Sequence, residues 1–131
     1  MRIYLDTVIV IYDVESHPEF APLVRRRLSN GSNEFFITEI IRMECLVHPL
    51  RLDDQARVRA FESYFQQLCN FVPVNRAVAE QSAGLRAKYQ WLKTPDALHL
   101  AAAIVGGCEV FLTNDHRLDR VAEIPVEVLN P

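Results

Sequence analysis

Apolar residues follow two rhythms along this chain, and their alternation sets the expected fold. Short segments at Ile3-Tyr4-Leu5, Glu34 to Ile37, Phe71 to Val74, Glu109 to Leu112 and Val126 to Leu129 read as strands. Between them apolar positions recur at helical spacing, as in Phe20, Leu23, Val24 and Leu28, or Ala56, Ala60, Phe61, Tyr64, Phe65 and Leu68. A further apolar segment, Val8 to Tyr12, follows the first strand after a turn. The punctuation agrees with the rhythm. Ser16 with Pro18 predicts a helix start, and Asn30-Gly31 its stop. Thr38 is expected to cap a helix that Pro49 ends, Asp53 or Asp54 to cap the next, and Asn75 to cap one reaching about Tyr89. Thr94-Pro95-Asp96 opens another, closed by Gly106-Gly107. Strands alternating with helices predict an α/β chain, with a central, mostly parallel five-stranded sheet covered on both faces in a three-layer α/β/α arrangement. No repeat or linker interrupts it, so residues 1–131 read as one domain.

Four carboxylates sit where that pattern leaves little water. Asp6 follows the first strand, and Asp115 follows Val110-Phe111-Leu112. Glu44 interrupts the oily face of Ile40, Ile41, Met43, Leu46 and Val47, and Asp96 opens the apolar stretch Ala97 to Val105. Burying an unpaired carboxylate is strongly unfavourable. Each acid has a structural explanation by itself. Asp6 and Asp115 suit helix N-caps, Asp96 suits the first turn of its helix, and Arg86 is a possible buried partner for Glu44. Asp6 and Asp115 also lie just past strand ends, where open parallel sheets bind ligands. Taken together, clustered oxygens suit a hard divalent ion, Mg²⁺ with Mn²⁺ able to substitute. Such an ion points to chemistry on phosphate.

Composition narrows the field without deciding it. The formal charge of −3 does not announce a nucleic-acid binder. The bases are mostly arginine, and Arg42 or Arg86 are candidates for phosphate contact. Cys45, Cys69 and Cys108 are odd in number, lack CxxC spacing and sit among apolar neighbours. They read as buried free thiols of a cytoplasmic protein. No apolar run approaches the roughly 20 residues that cross a bilayer, so no membrane role is expected. Phosphate-loop, dinucleotide and serine-hydrolase motifs are absent from the sequence.

With these acids in place, the chain resembles PIN-domain nucleases, specifically the ribonuclease toxins of type II (VapBC-like) toxin–antitoxin systems. The similarity runs through nearly the whole length and keeps the order of the motifs. Asp6 in Ile3-Tyr4-Leu5-Asp6-Thr7 resembles the family's first acid, and Glu44 in Thr38-Glu39-Ile40-Ile41-Arg42-Met43-Glu44 its second. Asp96 in Thr94-Pro95-Asp96-Ala97-Leu98-His99-Leu100 resembles the third, and Asp115 in Leu112-Thr113-Asn114-Asp115 the fourth. One departure is Val8, where the family often has a small polar residue; Thr7 or Thr113 are the expected replacements. The resemblance implies a Mg²⁺-dependent endoribonuclease in which Asp6, Asp96 and Asp115 hold the ion and Glu44 completes the set or orients the attacking water. It also implies a small antitoxin partner, an RNA substrate and a homodimer. The rival reading is a non-catalytic PIN-like module that binds RNA or a protein. His99, three residues after Asp96 on the same helical face, is expected to be a hydrogen-bonded core histidine or a modulator of the acids.

Overall fold

The structure, a computed structural model, describes residues 1–130. The most apolar runs become the central strands, where both faces are covered. β1 (Arg2–Leu5) is the centre of a five-stranded, all-parallel sheet of order β3-β2-β1-β4-β5, formed with β2 (Glu34–Ile37), β3 (Cys69–Phe71), β4 (Val110–Thr113) and β5 (Val126–Val128). Ile3, Tyr4, Leu5, Phe111 and Leu112 are fully buried, as central parallel strands require. Tyr4 faces Phe111 across the β1–β4 pair, their rings stacked at 5.3 Å. The expected three-layer α/β/α fold is present, with helices on both faces of the sheet.

Six helices connect the strands: α1 (Thr7–Val14), α2 (Ala21–Leu28), α3 (Glu39–Arg51), α4 (Gln55–Leu68), α5 (Arg76–Lys88) and α6 (Thr94–Val105). Thr38, Asp54 and Asn75 cap α3, α4 and α5 through their side chains, as anticipated. Gly106 ends α6 against β3's exit, where a Cβ would come within 2.7 Å of Val72 Cγ2. Arg2 donates to the carbonyls of Gly106 and Gly107, tying that helix end to β1.

Four local expectations fail, each for a physical reason. Ser16 caps nothing; it sits in the left-handed region at φ 52°, and His17 Nδ1 instead accepts the Glu19 and Phe20 N–H groups ahead of α2. Pro49 does not end α3, which continues to Arg51 with the proline ring buried in its last turns. A proline forfeits one helical hydrogen bond, and here it sits too near the end to kink much. In α4 the buried residues are Phe61 and Phe65, whereas Ala56, Ala60 and Leu68 are exposed. Large aromatic side chains decide which face turns inward. Finally, β3 starts two residues earlier than expected, because pairing with Phe35 and Phe36 of β2 recruits Cys69 and Asn70.

The three thiols are unpaired, Cys45 buried and the other two half-buried. Burial pushes Cys69 up to about 12 and Cys108 up to about 11, so neither is a ready thiolate.

Candidate active site

Order β2-β1-β4 makes the β1–β4 boundary the point where the chain's connections reverse direction. The crevice beyond these two strand ends is where such sheets bind ligands. Asp6 is the first residue past β1 and the N-cap of α1, with Oδ1 accepting from the Thr7 N–H at 2.8 Å. Its backbone N–H donates to Leu112 O at 3.0 Å, extending the β1–β4 ladder. That ladder sets Asp6 beside Thr113, whose hydroxyl donates to Asp6 Oδ2 at 2.7 Å. The same threonine oxygen accepts the Asp115 N–H at 3.1 Å. One fully buried threonine thus joins the first acid to the loop of the fourth. Burial raises the Asp6 pKa; the Thr113 hydrogen bond opposes this and the field of Glu44 adds to it.

Glu44 lies on α3, and its Oε1 accepts from the Thr7 hydroxyl at 2.6 Å and from His99 Nε2 at 2.7 Å. Burial alone would raise its pKa, but these two hydrogen bonds hold it below the ordinary value. Its partner is not Arg86, which donates to Leu92 O. Of the two arginines expected at phosphate, Arg42 is already engaged, whereas Arg86 is exposed and commits only its Nε, to Leu92 O. Arg42 pairs with Glu39 and Glu62 and lies over the rings of Phe65 and Phe71. The polar partner missing at Val8 is supplied twice over, by Thr113 to Asp6 and by Thr7 to Glu44; Val8 itself packs on the core.

Asp96 sits in the first turn of α6, as expected. Burial, then the neighbouring Asp6 and Asp115, raise its pKa. Asp115 caps a short 3-10 turn, His116–Arg120, and faces Arg117, whose Nε and second guanidinium nitrogen reach its two oxygens at 3.1 and 2.7 Å. This fork holds the Asp115 carboxyl below its ordinary value. The field of Glu44 acts on Asp6, and the fields of Asp6 and Asp115 both act on Asp96. The four acids therefore gather around the ends of β1 and β4, and the structural roles as caps coexist with that gathering.

The PIN domain family model matches residues 3–124, almost the whole of this fold. The chain belongs to the PIN domain family. Solved structures with the same fold include VapBC2 from Rickettsia felis bound to a DNA fragment from its promoter, at 17% identity and a TM-score of 0.81, covering 99% of this chain and 100% of that one. A toxin–antitoxin complex from Klebsiella pneumoniae is 26% identical with a TM-score of 0.69, covering 93% and 94% of the two chains. VapC20 of Mycobacterium tuberculosis, a sarcin–ricin loop cleaving toxin, is 15% identical with a TM-score of 0.65 over 83% and 86%. No curated protein matches the sequence.

Among the described residues of this PIN domain, no three acidic, histidine or cysteine side chains stand ready-made as ligands to one ion. The donor chemistry nevertheless fits a hard cation. Asp6, Asp96 and Asp115 offer carboxylate oxygens alone, and the first two are unfavourably charged as they stand. Only Asp115 must change partner, by leaving Arg117. Two residues of the PIN domain's cluster were not singled out as members by spacing. Arg117 is the fourth acid's fork, and Tyr4 contacts His99 from within β1. His99 was visible as the residue one helical turn after Asp96; its grip on Glu44 was not.

Proposed function

We propose that this PIN domain is a divalent-cation-dependent endoribonuclease and the toxin of a VapBC-like pair. One observation carries the reading: Asp6 and Asp115 add to the charge burden of Asp96 beyond the ends of β1 and β4, and among the described residues the one arginine or lysine paired with any of the three is the exposed Arg117. Mg²⁺ or Mn²⁺ would be held by Asp6, Asp96 and Asp115, and when bound supplies Lewis-acid polarisation of a phosphoryl oxygen and acidification of a water. The chain's own residues do the rest. Thr113 and the Thr7 N–H keep Asp6 oriented. Glu44, kept ionised by His99 and Thr7, accepts a proton from the attacking water. Arg117, once off Asp115, would be available to contact a phosphate of the RNA.

The toxin role draws on the likeness to VapBC2, to the Klebsiella complex and to the cleaving toxin VapC20. A protein partner also suits α3, which leaves Met43, Val47 and Leu50 exposed on one face. The reading includes an antitoxin and a homodimer. Arg117's fork on Asp115 favours a second reading, a non-catalytic module that binds RNA or protein, because it neutralises one acid internally. The deciding experiment incubates purified protein with RNA and with DNA, with Mg²⁺, Mn²⁺ or EDTA. Metal-dependent cleavage of RNA that disappears in Asp96→Asn supports the nuclease. Intact RNA with both metals gives the second reading.

A further inference from the structure

Glu44 is held by only one of its two oxygens. Thr7 and His99 both reach Oε1, at 2.6 and 2.7 Å, and among the described residues no donor reaches Oε2. The side chain keeps 29% of its surface exposed, so Oε2 is the oxygen left for a ligand or a water. Behind it the ring of His99 is 2% exposed. On the far side of that ring, Nδ1 hydrogen-bonds the Tyr4 hydroxyl at 3.0 Å, and that hydroxyl hydrogen-bonds Thr38 Oγ1 at 3.2 Å. Thr38 in turn accepts the N–H groups of Ile40 and Ile41 in the first turn of α3. Tyr4 and Thr38 are fully buried. The polar chain thus leaves α3 at its first turn, crosses the central strand and α6, and returns to α3 at Glu44.

A core built only for stability has a cheaper solution here. Tyr4 is stacked on Phe111, where a phenylalanine would pack as well without a hydroxyl to satisfy. A satisfied chain of buried polar groups instead fixes orientation. Two donors converging on one carboxylate oxygen also require His99 to carry its proton on Nε2.

We propose that His99, backed by Tyr4 and Thr38, is a positioning residue that pins Glu44 through Oε1 so that Oε2 receives the proton of the attacking water. The proposal rests on the nuclease reading. In that step the water oxygen bonds to phosphorus and its proton passes to Glu44 Oε2. The P–O3′ bond breaks with its electron pair on the 3′-oxygen, which takes a proton from solvent. His99 touches neither water nor phosphate.

Two measurements on the full chain test this. In ¹⁵N-edited NMR of the metal-free protein, the His99 Nε2 proton should be present, slow to exchange, and shifted in Glu44→Gln. An unprotonated Nε2, or a proton exchanging freely with water, overturns the proposal. In cleavage assays with Mn²⁺, His99→Leu should lower kcat roughly 10–100-fold with KM unchanged. His99→Gln, which keeps an N–H, should recover part of the loss. The rise in melting temperature given by Mn²⁺ should stay as in wild type for both. Full kcat in a folded His99→Leu sinks the idea, as does a loss of kcat matched by loss of the Mn²⁺ shift. If His99→Leu fails to fold, Tyr4→Phe decides: it deletes only the hydroxyl, and undiminished kcat would overturn the proposal. Wild type that leaves RNA intact ends the nuclease reading and the proton-acceptor role with it, whereas the NMR result still reports the grip of His99 on Glu44.

Discussion

Glu44 and Asp96 are both carboxylates at one end of the sheet, yet their surroundings differ in kind. Glu44 is met by a hydroxyl and an imidazole on one oxygen, and its pKa falls below the ordinary value despite burial. Asp96 is met by burial and by two other acids, and its pKa rises. The first charge is compensated by the fold itself. The second is left for something from outside to compensate. A cluster with both kinds of carboxylate is arranged so that one part is rigid before any ligand arrives and the other is completed by it.

The sharpest way to break this contrast is Asp6→Asn. Cleavage should fall by more than about 100-fold, beyond the range of an outer-shell change, while the metal-free protein should be no less stable and gain at neutral pH. The sign follows from the raised Asp6 pKa. The folded state takes up the proton more readily than the unfolded chain, so stability is fully present below the ordinary 3.8 and is lost as pH rises through the folded value. Denaturant midpoints measured without metal should therefore show wild type losing ground to Asp6→Asn as pH rises above that point. Equal midpoints across the range would remove the argument from repulsion.

A second test adds the missing cation. Mn²⁺ at about a hundred times its dissociation constant should stabilise the folded state by ~2.7 kcal/mol, seen as a higher melting temperature. Asp96→Asn should abolish the rise. A smaller effect is expected from Thr113→Val, which keeps shape and removes the donor to Asp6 Oδ2. The cost should be about 1–3 kcal/mol by chemical denaturation, and an unchanged midpoint would mean the hydroxyl holds nothing. The smallest belongs to Arg117→Ala. Its side chain is 55% exposed, so melting in the absence of metal should barely move, while the Mn²⁺ concentration giving half the thermal shift should fall. A rise in that concentration would show Arg117 assisting the ion rather than competing with it.

Much of the fold was legible because it is written locally. Ile3-Tyr4-Leu5 reads as a buried strand, and Thr38, Asp54 and Asn75 cap because capping needs only a side chain and the next turn. Misreadings arise where a distant partner decides. The start of β3 is set by β2, more than thirty residues earlier, and the buried face of α4 is set by where Phe61 and Phe65 fit. The four acids stand out because strand ends and an oily helix face are odd places for charge. Which acids are paired is another matter. The Tyr4–His99 contact spans 95 positions, and nothing in either neighbourhood announces it. The Arg117 fork is only two residues long, but Asp119 and Arg120 offer equally close alternatives that only the 3-10 geometry separates.

The middle position of β1 has a consequence for synthesis. One neighbour in the sheet, β2, follows it early and the other, β4, comes late, and Asp6 meets Thr113, 107 positions further along the chain. Contacts of that span close slowly and cannot form before β4 has been made. A ribosome can therefore deliver most of this chain before the acid cluster exists at all, and the four carboxylates share one site only once translation of the last strands brings the two halves together.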